Sequence, residues 1–105
     1  MIKITTLSNK ITIQGHALYS DYGKDIVCSA VSSIVITTIN GIISIDKSAI
    51  SYKVLDGFLE IEVKKEDDVT LKLIHNMIEL LEKLSNDYPK NIQIKKGGLI
   101  WWSWN

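Results

Sequence analysis

Apolar and polar residues alternate in five short stretches of the chain, which is the pattern of half-buried β-strands. The first two stretches, residues 2–4 and 11–13, flank a segment whose Ser-Asn pair favours a turn. The next two, residues 50–54 and 59–63, flank an Asp-Gly pair that suits a two-residue hairpin turn. The fifth stretch covers residues 92–94. The pattern therefore predicts two β-hairpins and a final strand.

Two other segments repeat apolar residues at intervals of three and four, which is typical of α-helices. The repeat in residues 26–45 follows Asp25, which stands where an N-cap belongs. Its apolar residues are largely β-branched, so packing must stabilise this helix, and Gly41 is expected to kink it or end it early. The second repeat follows the Asp-Asp pair at residues 67–68 and stops before Pro89.

The predicted order is β-β-α-β-β-α-β, which indicates an α+β fold with a largely antiparallel sheet covered by two helices. A chain of 105 residues is long enough for one hydrophobic core and too short for two. We therefore expect a single domain over residues 1–105, with a Trp-rich C-terminal tail at residues 97–105.

The charge balance and the single cysteine exclude several classes of ligand and site. Twelve basic and twelve acidic residues cancel, and all the bases are Lys, which disfavours nucleic acid as the main ligand. A single cysteine excludes an intrachain disulfide and a multi-cysteine zinc site, and no metal or cofactor is expected. It also fits a reduced, cytoplasmic setting. Residues 1–5 alternate apolar with polar and do not resemble a signal peptide.

The uncharged segment 26–45 is long enough to span a bilayer. Eight of its twenty residues are Ser, Thr, Asn or Gly, which makes it too polar for comfortable insertion. We expect a buried central helix and no membrane partner.

Cys28 is the residue best placed for chemistry, because it stands third in the predicted helix 26–45. The N–H groups and positive dipole end of a first helical turn favour an anion, and thiolate is the attacking form of cysteine. His16 lies twelve residues earlier, on the loop leading into this helix, and is placed to take the thiol proton and protonate a leaving amine. One alternative stays open: Cys28 is a small buried packing residue.

Residues beside this pair have candidate supporting roles. Backbone N–H groups of Val27 and Ser29 are candidate oxyanion donors. Asp21 and Asp25 are candidates for orienting His16, although capping is favoured for Asp25.

The loop between His16 and Cys28 carries two tyrosines, Tyr19 and Tyr22, as candidate substrate contacts. They are expected either to close over a bound peptide or to belong to a plain connector. Gly15 and Gly23 are candidate hinges at its two ends.

The second histidine and the tryptophans of the tail are interpreted as non-catalytic. His75 falls on the polar side of the second predicted helix, so we interpret it as a solvated surface residue. The three tryptophans of the tail 97–105 are able to stack on RNA, but two preceding lysines make a thin basic patch. We favour a tail that continues the last strand or packs against a partner subunit.

Residues 15–17 (Gly-His-Ala) and 23–28 (Gly-Lys-Asp-Ile-Val-Cys), with their spacing, resemble the paired motif of the ribosomal-processing cysteine protease family, Prp. The resemblance covers about residues 1–95. Two features depart from the family pattern, namely Ser29 where Ala is more usual and the tail after Lys96.

The resemblance implies a cytoplasmic, homodimeric bacterial endopeptidase with His16 as general base and Cys28 as nucleophile. It also implies the substrate, which is large-subunit ribosomal protein twenty-seven carrying an N-terminal extension that is cut after an aromatic pair. The alternative is a non-catalytic module that binds a ribosomal protein or RNA.

Overall fold

The computed structural model describes residues 1–15 and 26–98 of the chain. Its elements, in chain order, are β1 (Ile2–Leu7), β2 (Lys10–Gln14), α1 (Ile26–Ile45), β3 (Ile50–Leu55), β4 (Phe58–Val63), α2 (Asp68–Asp87) and β5 (Ile92–Lys96). This order confirms the predicted β-β-α-β-β-α-β arrangement.

The strands form one sheet in the order β3-β4-β2-β1-β5. Every neighbouring pair is antiparallel except β1 and β5, which are parallel, so the largely antiparallel sheet is confirmed. Register places Ile4 opposite Ile13, and Ile13 opposite Leu59, in one buried apolar row. The opposite face carries polar rows such as Thr5 opposite Thr12. Apolar residues therefore occupy the covered face of the sheet.

Both helices contribute their apolar faces to a single core with the sheet. The buried residues of α1 are Val27, Cys28, Val31, Val35, Ile39 and Ile42. The buried residues of α2 are Thr70, Leu71, Ile74, Met77, Ile78 and Leu81. The domain is thus a two-layer α+β sandwich, as the sequence predicts.

Helix α1 continues through Gly41 to Ile45, so the expectation that Gly41 ends it early is wrong. Buried Ile39 and Ile42 lie on both sides of the glycine and anchor the helix to the core. α1 is also long and apolar enough to cross a membrane by length and composition alone, and a third of this apolar stretch is buried inside the domain.

Helix α2 begins and ends where the sequence predicts. The Asp67 carboxylate accepts a hydrogen bond of 2.8 Å from the Thr70 N–H, which is the N-cap contact. At the other end, the Tyr88 N–H donates to the Leu84 carbonyl. Pro89 is the next residue, and proline cannot continue the helix.

The sheet has two distinct ends. At the first, called here the Gly15 end, β1 and β5 begin, β2 ends, and the Gly15 N–H donates to the Gly57 carbonyl in the β3–β4 turn over 3.0 Å. At the second, the Asp46 end, α1 stops and α2 starts. Buried residues from Val27 to Ile42 show that α1 spans the sheet between these ends. The start of α1 therefore lies at the Gly15 end.

Candidate active site

Cys28 is the third residue of α1 and lies in its first turn, as the sequence predicts. It is 7% exposed and packs within the core cluster. Its position therefore combines two properties: the electrostatic field of a helix start, which favours an anion, and contact with apolar neighbours. Burial agrees with the interpretation of Cys28 as a packing residue, and the helix start agrees with its interpretation as a nucleophile.

The two candidate oxyanion donors flank this cysteine. Val27 is buried and Ser29 is half-buried, and both belong to the first turn of α1. The N–H groups of a first turn point out of the helix start rather than at carbonyls of the same helix. Residues 27–29 therefore lie in the helix turn for which the sequence predicts the oxyanion donors, and that role stays a prediction.

Gly15 is fixed by its backbone surroundings. Its φ is +75°, in the left-handed region that favours glycine, and a Cβ at this position would overlap the carbonyl oxygen of Met1. Its N–H donates to Gly57, which also has a positive φ of 67°. The residue that immediately precedes His16 is therefore held between the first residue of the chain and the β3–β4 turn.

The support from Gly57 is a feature that sequence reasoning did not find. The Asp-Gly pair predicts a hairpin turn, and the structure confirms that turn between β3 and β4. A local turn motif carries no sign of its partner forty-two positions earlier in the chain. The bond from Gly15 to Gly57 becomes visible only once β2 and β4 are paired.

The other predicted site residues belong to residues 16–25 and lie outside the described part of the chain. They are His16, Tyr19, Asp21, Tyr22, Gly23 and Asp25. The Cys-His pair, the N-cap of α1 and the closure of the tyrosines over a peptide therefore stay predictions.

His75 differs from its sequence interpretation. Its side chain is only 18% exposed, and its Nδ1 atom lies 3.3 Å from the Glu79 carboxylate on the next turn of α2. The expectation of a solvated surface residue is wrong, because the imidazole lies at the boundary between the polar and buried faces of α2. Its position between Ile74 and Met77, both fully buried, explains this burial.

Residues 1–15 and 26–98 bring together no cluster of three or more His, Cys, Asp or Glu side chains suited to a metal ion. Within the described ranges, the carboxylates with a shifted pKa are Asp46 and Glu62. Hydrogen bonds from Lys65 and Ser48 lower the pKa of Asp46 from 3.8 to about 2, and the bond from Lys64 lowers the pKa of Glu62. The groove of about 510 Å³ beside Asp46 lies between the end of α1 and the start of α2.

The model of the cysteine protease Prp family matches residues 1–93. The ribosomal processing cysteine protease Prp of Mycoplasma genitalium is 31% identical over 106 residues, which cover 91% of this chain and 96% of that protein. The protein of the same name from Staphylococcus aureus is 28% identical over 87 residues, covering 80% of this chain and 82% of that one.

A solved structure shares the fold. The crystal structure of the essential ribosomal processing protease Prp from Staphylococcus aureus, in complex with a covalently linked product peptide, matches with a TM-score of 0.81 at 24% identity. The match covers 91% of this chain and 99% of that chain. The sheet and both helices described above are therefore common to the two proteins.

Proposed function

This chain belongs to the cysteine protease Prp family, and from that premise we propose that it removes an N-terminal extension from large-subunit ribosomal protein twenty-seven. Family membership supplies the coarser statement, a ribosomal processing cysteine protease. The finer one, which names the substrate, rests on the resemblance of the motifs at residues 15–17 and 23–28.

The observation that carries the proposal is that the chain has one cysteine and that α1 presents it in its first turn. A cysteine protease needs a thiolate nucleophile, and a helix start stabilises thiolate. Cys28 is therefore the nucleophile. The packing interpretation of Cys28 would leave a member of this family without a nucleophile.

His16 is the general base. The chain has two histidines, and His75 is engaged with Glu79 on α2. His16 directly follows Gly15, which is fixed at the end of the sheet where α1 begins. The residue before His16 therefore lies at the same end of the sheet as Cys28, whereas His75 lies midway along the other helix.

The reaction then follows from these assignments. Cys28 Sγ loses its proton to the His16 imidazole and attacks the scissile carbonyl, and N–H groups at residues 27–29 stabilise the oxyanion. The imidazolium protonates the departing amine, so the peptide bond breaks and an acyl-enzyme remains. Water, deprotonated by the same imidazole, hydrolyses the thioester and restores the thiol.

Asp21 and Asp25 keep the two roles that the sequence leaves open. Asp25 directly precedes the first residue of α1, which supports the capping role. Asp21 is the remaining candidate for orienting His16. Tyr19 and Tyr22 lie between Gly15 and Gly23 in the sequence and are the candidate contacts for the substrate peptide.

We also propose that the protein acts in the cytoplasm as a homodimer assembled through its Trp-rich tail. The pairing of β5 with β1 continues beyond Lys96, because the Gly97 N–H donates to Thr6 and the Ser8 N–H donates to Gly98. This continuation supports a tail that extends the last strand. Truncation after Lys96 should convert a dimer into a monomer in sedimentation experiments while peptide cleavage is retained.

The decisive experiment incubates the protein with the extended ribosomal protein of the same organism and identifies products by mass spectrometry. Cys28→Ala is the matched control because it removes only the sulfur. We expect one cut after the aromatic pair with the unsubstituted protein and none with Cys28→Ala. A complex that forms without any cut would contradict the proposal and indicate a non-catalytic binding module, and strongly salt-dependent RNA binding would indicate an RNA module.

A further inference from the structure

Strand β3 is an edge strand of the sheet, with β4 on one side. Among residues 1–15 and 26–98, no strand pairs with its other side. Its side chains are unusually exposed for apolar residues: Tyr52 is 52%, Val54 50% and Leu55 56% exposed. An apolar edge strand of six residues is a template on which another extended chain can pair.

The hairpin geometry shows which backbone groups of β3 point outward. A two-residue turn places Leu55 directly opposite Phe58, and these two residues exchange hydrogen bonds. Bonding alternates along an antiparallel pair, so Lys53 also bonds to β4. The N–H and C=O groups of Tyr52 and Val54 consequently point away from the sheet.

This edge leads towards the candidate nucleophile. β3 runs from the Asp46 end to the Gly15 end, where its turn contacts Gly15 through Gly57. α1 lies over the sheet in the opposite direction and places Cys28 at the Gly15 end. From Ile42 to Cys28 the helix covers about 21 Å, and from Ile50 to Leu55 the strand covers about 17 Å. A peptide extended along β3 therefore arrives at the level of the first turn of α1.

We propose that β3 is the docking strand for the substrate, which adds to the sheet as a sixth, extended strand beside Tyr52 and Val54. This inference rests on the proposed function, because it assigns a binding surface to that protease. The occupant is an extended peptide segment with an apolar residue at every second position. Those residues pack on the exposed side chains of Tyr52 and Val54, and main-chain hydrogen bonds supply the remaining affinity.

The side chains along β3 favour a peptide with an apolar residue at every second position. The side chains of Tyr52 and Val54 share the helix-covered face of the sheet, in the rows of buried Ile61 and Leu59. A bound apolar side chain would thus extend the core beyond β3. Lys53 points to the opposite, polar face and leaves the apolar side uncharged.

The test uses Val54→Pro. Proline lacks the outward N–H, and an edge strand tolerates it where that N–H takes no part in the ladder. Val54→Thr is the matched control, since it retains the N–H and the β-branched shape. With a synthetic peptide that spans the cleaved extension, we expect Val54→Pro to raise KM about five- to tenfold, the equivalent of one lost hydrogen bond, with kcat nearly unchanged. Val54→Thr should raise KM by less than Val54→Pro does, because its hydrogen bond persists and only one apolar methyl is exchanged for a hydroxyl.

A second measurement needs no change in the protein. Peptides methylated at one backbone nitrogen at a time should show a KM that alternates between affected and unaffected positions, because only every second residue of an added strand bonds to its neighbour. This readout decides the question even if Val54→Pro fails to fold, which circular dichroism would reveal.

The outcomes separate the two proposals. An unchanged KM for a folded Val54→Pro protein, or a KM without alternation in the methylated series, overturns the docking strand while the protease assignment stands. A Val54→Pro protein that changes from dimer to monomer with KM unchanged also overturns it, because the edge then holds a second copy of the chain. Absence of cleavage by the unsubstituted protein overturns both.

Discussion

The two helices begin at opposite ends of the sheet, and their first turns carry different side chains. At the start of α2, Asp67 accepts a hydrogen bond from the Thr70 N–H, and Asp68 lies 3.1 Å from Lys72. The first turn of α1 holds no acidic residue and instead carries Cys28. Both helix starts produce the same electrostatic field. In α2 the field acts on the carboxylates of Asp67 and Asp68, whereas in α1 it acts on the thiol of Cys28, which follows the predicted cap Asp25.

The comparison predicts that substitutions at the Gly15 end change chemistry, while substitutions at the Asp46 end change only stability. Asp46 pairs with Lys65 over 2.8 Å and with Ser48 over 2.7 Å, so the carboxylates at that end already have partners.

The largest effect is expected at Cys28 itself. Its alkylation by iodoacetamide should have a pH midpoint at least about one unit below that of a free thiol, which titrates near 8.5. Because it is the only cysteine, every adduct seen by mass spectrometry reports this residue. The same protein unfolded in guanidinium chloride is the control and should label with the ordinary midpoint. Slow labelling of the folded protein with an ordinary midpoint would support a packing role for Cys28.

The next effect is expected for Gly15→Ala. A Cβ there meets the Met1 carbonyl at a φ of +75°, so we expect a loss of about 1–3 kcal/mol in the free energy of unfolding and slower cleavage. Gly41→Ala is the matched control, because apart from its chain neighbours and the backbone of its own helix no atom lies within 4 Å of its added Cβ. It should stabilise α1 by about 0.5–1 kcal/mol and leave cleavage unchanged. Urea unfolding measures the stability of the two variants, and peptide cleavage measures their activity. Equal stability and equal activity of the two variants would refute the special role of Gly15.

Sequence reasoning predicted the fold well because its signals are local. Period-two alternation located β1 to β5, and the Asp67 cap and Pro89 bounded α2. Pairing between distant segments has no local signal. The parallel contact of β5 with β1 and the exposed face of Tyr52 on edge strand β3 follow from strand order, which periodicity does not contain.

The candidate site was predictable in part for the same reason. Helical periodicity placed Cys28 in a first turn, and the structure confirms that position. Its 7% exposure depends on packing across the whole core and has no counterpart in residue spacing. His75 shows the limit of the helical wheel, which assigns a direction to a side chain but not the depth to which neighbouring residues bury it.

A smaller effect is expected at the start of α2. Asp67→Ala removes the acceptor for the Thr70 N–H and should lower the free energy of unfolding by about 1 kcal/mol. Asp67→Asn is the control and should cost little, because Asn caps nearly as well as Asp. Peptide cleavage at saturating substrate should be the same for both variants and the unsubstituted protein. A loss of cleavage without a loss of stability would contradict the division between the two ends.

The smallest effect is expected at Asp46, whose exposed ion pair with Lys65 is open to screening by salt. Its pKa falls from 3.8 in the unfolded chain to about 2 in the folded protein, so the unfolded state takes up the proton first as pH drops. The stabilisation it gives is complete above about pH 5 and is lost progressively towards pH 2. The unfolding temperatures of the unsubstituted protein and of Asp46→Asn should therefore differ most at about pH 5 and approach each other as the pH falls to about 2. Glu62, whose pKa is also lowered, is present in both proteins and cancels from the difference. A constant gap between the two curves would show that the Lys65 bond does not stabilise the fold through this carboxylate.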